Sequence, residues 1–419
     1  MSAPAAELPS RRKYPALQSR DFVLLLLGRL CGTTGLQMLV VGIGWHVYDL
    51  TRDPFALGMV GLCQFLPSLL LVLHAGQLAD QVDRRKLLVG AFLLATGCAA
   101  ALWGLAGFDN HQIWPIYLVA AFLGLARIFG ATAAQALLPN LVPAGAFGNA
   151  LALSATAYQI ATIGGPALGG FIYQFGAPVV YGCATLLLAL ATGCNLLIRT
   201  RSKGSKSPRN WTNLVAGVHF ILARPIMLGA ISLDLFAVLL GGVVALLPIF
   251  ARDILHVGPQ GLGLLRAAPA FGAAVMAFAL ARHPLGRHVG FWLFFSVAVF
   301  GMTTIGFGLS TSFPLSLILL VILGASDMIS VYVRSHLAQM QTPDDMRGRV
   351  ASVNMLFITA SNELGEFESG VTASWFGAVS ATVLGGVLTL AVVALCAWRI
   401  PALRRIDRLE DVALERVPK

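Results

Sequence analysis

The segment Gly76 to Lys86, Gly-Gln-Leu-Ala-Asp-Gln-Val-Asp-Arg-Arg-Lys, joins two apolar runs, 57–79 and 86–107, each long enough to cross a bilayer. A spanning helix needs roughly 20 apolar residues, and a chain passing from one such run to the next has to turn in water. Arg84, Arg85 and Lys86 stand at that turn, and clustered cations hold a short loop on the cytoplasmic side. A soluble domain has no use for this arrangement, whereas a polytopic membrane protein requires it. Composition agrees: 57% of the 419 residues are hydrophobic and 11% are charged, against about a quarter charged in ordinary soluble domains. The net charge of +10 is spread through the gaps between apolar runs and builds no basic face, which argues against a nucleic-acid partner.

Twelve segments meet the length criterion: 22–48, 57–79, 86–107, 113–138, 148–174, 178–199, 226–251, 261–282, 289–309, 314–340, 350–374 and 378–399. The gaps on one side carry 23 Lys and Arg, and those on the other carry only Arg52 and Arg252. This predicts an all-α polytopic membrane protein of twelve transmembrane helices in the plasma (inner) membrane, with both termini cytoplasmic. The first twenty residues lack the apolar core of a cleaved signal peptide, so the first span is expected to direct insertion. The six cysteines all fall inside apolar runs without a Cys-x-x-Cys pair, as small buried hydrophobes do.

The longest polar gap divides the chain into an N-terminal six-helix bundle (1–199), a cytoplasmic linker (200–225) and a C-terminal six-helix bundle with a tail (226–419). Within the linker, Leu214, Val215, Val218, Ile221 and Leu222 form a helical stripe that ends at Arg224-Pro225. It reads as an amphipathic helix lying on the inner leaflet. The two halves repeat one another faintly. Pro54-x-x-Leu-Gly58 recurs as Pro259-x-x-Leu-Gly263 at an offset of 205, and the turn from Pro143 recurs from Pro343 at an offset of 200. Matches in the same order support a duplicated six-helix unit.

The chain contains no Gly-x-x-x-x-Gly-Lys-Ser/Thr phosphate loop, and its eight histidines form no i, i+4 ligand pair. Neither a nucleotide, a metal nor another cofactor is expected, and no catalytic residue is assigned. Work must then come from an ion or substrate gradient. Charges inside spans are costly, so each is a candidate site. Arg29 in span 1 lies 205 residues before Asp234 in span 7, and Arg127 in span 4 lies 200 before Asp327 in span 10. These are the repeat's own offsets. Span 11 holds Glu363, Glu366 and Glu368, of which Glu363 and Glu366 share a helix face. Arg266 and Arg334 lie nearer span ends, where long side chains are expected to reach water. Span 5 carries Gly164-Gly165-Pro166-Ala-Leu-Gly169-Gly170. Pro166 removes a helix hydrogen bond, and the glycines allow neighbouring backbones to approach closely.

The spacing Gly76-x-x-x-Asp80-x-x-x-Arg84-Arg85 resembles the loop between helices 2 and 3 of the major facilitator superfamily of secondary transporters. Gly-Pro-x-x-Gly-Gly in span 5 resembles the motif of that superfamily's antiporters. Asp-Pro54-x-x-Leu-Gly58, Ala-Leu-Leu-Pro139-Asn-Leu-Val-Pro143 and Thr342-Pro-Asp-Asp-Met-Arg-Gly-Arg349 are similar to the branch that includes the enterobactin exporter. The resemblance covers about Asp21 to Arg399. It implies two bundles, rocker-switch alternating access, and proton-driven export of a small organic amphiphile, a siderophore or a drug. In the loop motif, Gly76 would allow close packing, Asp80 would be a gating charge, and Arg84 with Arg85 its cations. Two positions depart from the pattern, Gln81 for the usual Arg and Asp83 for the usual Gly; Asp83 would serve as the N-cap of span 3.

In the superfamily, spans 1, 4, 7 and 10 line the central cavity. The resemblance therefore places Arg29 and Arg127 opposite Asp234 and Asp327, with Asp327 titrating and Arg127 as its counter-charge or a substrate anchor. A static Arg127–Asp327 pair is the alternative. Glu363 and Glu366 stand either as a second proton site or as the edge of a watery vestibule. The expected partners are a small-molecule substrate, protons and the lipid bilayer, in a monomer. Two other functions stay open on the sequence: import of a nutrient or lysolipid, and a non-transporting membrane subunit or sensor of the same fold.

Overall fold

The computed structural model describes residues 15–108, 112–200, 211–343 and 346–408; at 72–77, 79–81, 211–215, 347, 348 and 352 it describes the backbone alone. The long helices are α1 (Arg20–Thr51), α2 (Pro54–Gln81), α3 (Arg84–Gly107), α4 (Trp114–Leu137), α5 (Phe147–Tyr173) and α6 (Ala177–Leu197). They continue as α7 (Trp211–Leu222), α8 (Pro225–Leu240), α9 (Gly258–Arg282), α10 (Val289–Leu309), α11 (Phe313–Gln341), α12 (Arg347–Phe376) and α13 (Ala378–Arg399). Helices α1–α6 are the first six spans, α7 lies in the linker, and α8–α13 belong to spans 7–12. There is no strand among the described residues.

Local chemistry sets the helix starts. Ser19 caps α1 by accepting from Phe22 N, and Asp53 caps α2 with Pro54 in the first helical position. Asp83 caps α3 by accepting from Arg85 N at 3.0 Å, so a residue that departs from the loop pattern starts the next helix. Among the described residues, ten helical stretches are apolar and long enough to cross a membrane by composition. The spans missing from that set are α5, rich in Gly, Ser and Thr, and α12, which carries the three glutamates.

Span 7 is not the continuous helix expected over 226–251. It stops at Leu240, passes through Gly241-Gly242, and resumes as short helical turns over Val243–Leu246, Leu247–Ile249 and Phe250–Ile254. Two consecutive glycines give the backbone the freedom to leave the helix, and Pro248 restarts it where its missing N–H costs nothing. Linker helix α7 also differs from expectation. Val218 and Ile221 pack against Met227, Val350 and Val353, so this part of the stripe is buried in the protein. Leu222 remains exposed, and the side chains of Leu214 and Val215 lie outside the described residues.

Within the first six helices, α1 packs on α5 and α6, α3 on α4 and α6, and α2 on α4. Across the halves, α2 packs on α12 and α5 on α9. A Cβ on Gly370 of α12 would lie 2.6 Å from Gly58 Cα of α2, and one on Gly170 of α5 would lie 2.8 Å from Gly263 Cα of α9. Both distances are shorter than any side chain tolerates, so the two crossings exist because all four positions are glycine. Gly58 and Gly263 are the repeat pair at offset 205, and Gly170 and Gly370 are separated by 200. The crossings are therefore copies of one another about a pseudo-two-fold axis. Gly165 and Gly169, by contrast, let α5 close on α1, against Thr34, Gln37 and Met38. All four crossing glycines lie toward the end of the molecule that carries Arg52 and Arg252, here called the far end.

Candidate functional site

Four arginines lie within the spans, and three of them meet carboxylates. Arg127 of α4 reaches across to α12, where its Nη2 is 2.8 Å from Glu363 Oε1; the Arg127 side chain is 54% exposed and that of Glu363 only 9%. Glu363 is sixteen residues into a thirty-residue helix, hence near mid-membrane. One turn along the same face, Glu366 lies 3.7 Å from Arg266 of α9, and both are partly shielded. These two glutamates share a face as expected. Each has an arginine partner that the sequence did not assign.

The second group belongs to the last six helices alone. Arg334 Nη1 of α11 is 2.6 Å from Asp234 Oδ2 of α8, with both side chains 8% exposed, and Arg334 Nε also donates to Ser330 Oγ at 3.2 Å. Asp327 lies one helical turn from Ser330 and lines the same small cavity as Asp234, Ser296, Ser326 and Ser330. The expected facing of Arg127 with Asp327 is therefore corrected. Arg127 pairs with Glu363, and Asp327 belongs to the Asp234–Arg334 cluster. Arg334 is corrected too, since it is buried in an ion pair and does not reach water. The offsets identified equivalent positions, but side chains at equivalent positions need not face one another.

Arg29 differs from the other three. Its Nη1 donates to Ser154 Oγ of α5 at 2.8 Å, and its guanidinium lies 5.3 Å from the ring centroid of Tyr158. Among the described residues no carboxylate lies within 4.0 Å of it, and the expected opposition to Asp234 is not seen because Asp234 is held by Arg334. Glu368 accepts from Thr372 Oγ1 at 2.7 Å within its own helix. Among the described residues, no group of three or more His, Cys, Asp or Glu comes together to hold a metal ion.

The loop residues split by role. Arg84 Nη1 donates to Ala136 O at 2.8 Å, near the end of α4, and Arg85 Nη2 donates to Leu196 O at the end of α6. Both cations thus sit on last-turn carbonyls at the negative ends of helix dipoles, within the first half, and Asn140 Nδ2 shares the Ala136 carbonyl with Arg84. The backbone at Gly76 and Asp80 is the last turns of α2; the Asp80 side chain lies outside the described residues.

At the far end a charged network joins the halves. Arg252 pairs with Asp49, Tyr48 Oη donates to Asp253, and Arg52 lies 3.6 Å from Asp253 and 3.9 Å from Asp49. Arg252 also stands over Trp45, 5.4 Å from the ring centroid. Tyr48 and Asp253 are 205 residues apart, the repeat offset again. Sequence reasoning used Arg52 and Arg252 only as topology markers and missed that they meet acids across the halves.

A family described as "Transmembrane secretion effector" matches residues 12–419. The chain is 28% identical over 375 residues to the enterobactin exporter EntS of Citrobacter koseri, covering 87% of this chain and 85% of the exporter. It is 25% identical over 415 residues to the multidrug efflux pump Tap of Mycobacterium bovis, covering 94% and 96%. Among solved structures, a POT family transporter in complex with 5-aminolevulinic acid superposes with a TM-score of 0.73 at 11% identity, covering 92% of this chain and 97% of that one. A bacterial homologue of the lysosomal transporter Spinster, in an inward-facing and unoccupied conformation, superposes with a TM-score of 0.67 at 14% identity, covering 96% and 99%.

Proposed function

We propose that this chain, which belongs to the transmembrane secretion effector family of the major facilitator superfamily, exports a small organic amphiphile by proton-coupled alternating access. It is a multi-pass membrane transporter and not an enzyme. Its direction, ion and substrate are the reading offered here. The names of its exporter and efflux-pump relatives support the direction. The loop-cation asymmetry supports a far end that faces outward and termini in the cytoplasm, and exporter relatives of this type support the inner membrane as the site. We take the working unit to be a monomer, since each chain carries both halves of the cavity.

The observation that carries the reading is the Arg127–Glu363 pair. Glu363 is buried at mid-membrane, Arg127 is half-exposed, and the two stand on opposite halves. When the far end opens and the halves rock, α4 and α12 separate, and Glu363 is left without its guanidinium. A bare carboxylate at that depth costs several kcal/mol, and a proton removes the cost. On the return stroke Arg127 displaces the proton. Each cycle then moves a proton inward against an outward-moving substrate.

The Asp234–Arg334–Asp327 cluster lies within one half and moves as a body, so it is assigned to structure and not to coupling. Gly76, Asp80, Arg84 and Arg85 are read as the hinge that keeps the first half rigid during the stroke. Uptake of a fluorescent amphiphile such as 1-pyrenebutyrate into inside-out vesicles tests the assignment. With a proton gradient, Glu363→Gln should lose accumulation down to the level without a gradient, while Asp327→Asn keeps it. Gradient-driven accumulation that survives in Glu363→Gln, or that disappears in Asp327→Asn with the protein intact, would sink this coupling scheme.

A further inference from the structure

We infer that Arg29, with Ser154 and Tyr158, forms a subsite for the anionic group of the substrate, so that the transported compounds are anionic amphiphiles bearing a carboxylate or an equivalent oxyanion. This deepens the transport reading above and rests on it. Arg29 is nine residues beyond the start of α1, about 14 Å along the helix at 1.5 Å per residue, and so lies well inside the membrane. A guanidinium keeps its charge there, because its proton cannot be removed under any physiological condition. Arg127, Arg266 and Arg334 each have a carboxylate within 4.0 Å. Arg29, among the described residues, has a hydroxyl and an aromatic face instead.

Those two contacts orient the group without neutralising it. Ser154 is buried and takes one N–H of the five. The Arg29 guanidinium stands over the Tyr158 ring, and Tyr158 is itself 46% exposed. The remaining N–H groups form the planar fork that matches a carboxylate in two parallel hydrogen bonds. The exposed Tyr158 ring beside it offers an apolar platform for the rest of an amphiphile. A cation held in this way at membrane depth is costly until an anion arrives. The anion is left for the ligand to supply: the first half's in-span charges are Arg29 and Arg127, and Glu363, Glu366 and Asp234 of the second half are each paired with another arginine.

The test uses three probes that share one ring system and differ in charge: 1-pyrenebutyrate, 1-pyrenebutanol and (4-pyren-1-ylbutyl)trimethylammonium. Binding to the purified full chain in nanodiscs is read by thermal shift and by equilibrium titration against empty nanodiscs. The wild type should bind the carboxylate at least tenfold more tightly than the alcohol, and the ammonium least. Arg29→Gln keeps a hydrogen-bonding side chain without the charge. It should bring the carboxylate down to the alcohol's affinity and leave the alcohol unchanged, while Arg29→Lys keeps a clear part of the preference. A wild type that binds the neutral or cationic probe as well as the anion, or binds none of them, overturns the inference. So does an Arg29→Gln protein whose preference is intact. An Arg29→Gln protein that melts well below the wild type is replaced by Tyr158→Leu with Ser154→Ala, for which a weakened preference supports the subsite and an unchanged one overturns it. Transport of 1-pyrenebutyrate in vesicles is scored separately, so a failure of proton-driven export is distinguishable from a failure of anion recognition.

Discussion

At the scale of single residues, the buried cluster of Asp234, Asp327 and Arg334 makes an asymmetric prediction. Removing the charge of Asp234 leaves Arg334 with a second carboxylate nearby, Asp327, which lines the same cavity as Asp234, so Asp234→Asn should be mild. Removing Arg334 leaves two carboxylates facing each other without a cation. Breaking a buried pair by deleting one partner costs about 3–5 kcal/mol, so Arg334→Gln should lower the melting temperature far more than Asp234→Asn. The triple variant Asp234→Asn, Asp327→Asn, Arg334→Gln should recover most of the loss. Thermal melts in one detergent decide it, and equal losses for the two single variants would contradict the cluster. These residues also show what the sequence could and could not reveal. Asp234, Asp327, Arg127 and Glu363 were legible as candidate sites because in-span charges are costly wherever they point. Their partners were not legible. Pairing depends on helix tilt and on the reach of a long guanidinium, and a pattern of spacings contains neither. Asp83 as a cap was legible because a cap is a contact between residues two or three apart.

At the scale of elements, the halves are joined at the far end by two helix crossings that share one design. The repeat of Pro54-x-x-Leu-Gly58 at Pro259 announced half of each crossing. Of its partners, Gly170 stood in the span-5 motif as a close-packing glycine, whereas Gly370 stood among many glycines, and only the packing of α2 on α12 separates it from the rest. The break in span 7 had a visible signal in Gly241-Gly242 and Pro248, but an apolar run of full length outweighed it. Since the crossings are equivalent, either one can be propped open. A Cβ on Gly370 already falls 2.6 Å from Gly58 Cα, so Gly370→Val must push α12 away from α2. Spin labels replacing Phe175 and Trp375, both exposed just beyond or at the ends of α5 and α12, report the far-end separation on a background free of the six native cysteines. Their distance should lengthen in Gly370→Val, and proton-driven transport should fall with it. A distance unchanged from wild type would mean that the crossing does not hold the far end shut.

At the scale of the whole molecule, the far end is closed twice, by apolar glycine crossings and by the ionic network of Asp49, Arg52, Arg252 and Asp253. The two closures differ in kind. The crossings are steric and insensitive to salt. The network is made of side chains that are a quarter to a half exposed, and pairs of that sort are worth about 0.2–1 kcal/mol each. Such a network biases an equilibrium without locking it, as a transporter that has to reopen on every cycle requires. Arg252 bridges the halves directly, since it meets Asp49 and stands over Trp45. Losing it should cost the closed state about 1 kcal/mol, a several-fold shift toward far-end opening on a scale where 1.4 kcal/mol is tenfold. Raising salt to about 1 M shortens the Debye length to about 3 Å, so the wild type in high salt should move toward the distance distribution of Arg252→Gln in low salt. The Arg252→Gln distribution itself should respond less to salt, because part of the screened interaction is already gone. The same labels at Phe175 and Trp375 measure all four conditions. If Arg252→Gln and wild type give one distribution at low salt, the network is ornament on a closure made by the glycines alone, and the far end opens without breaking it.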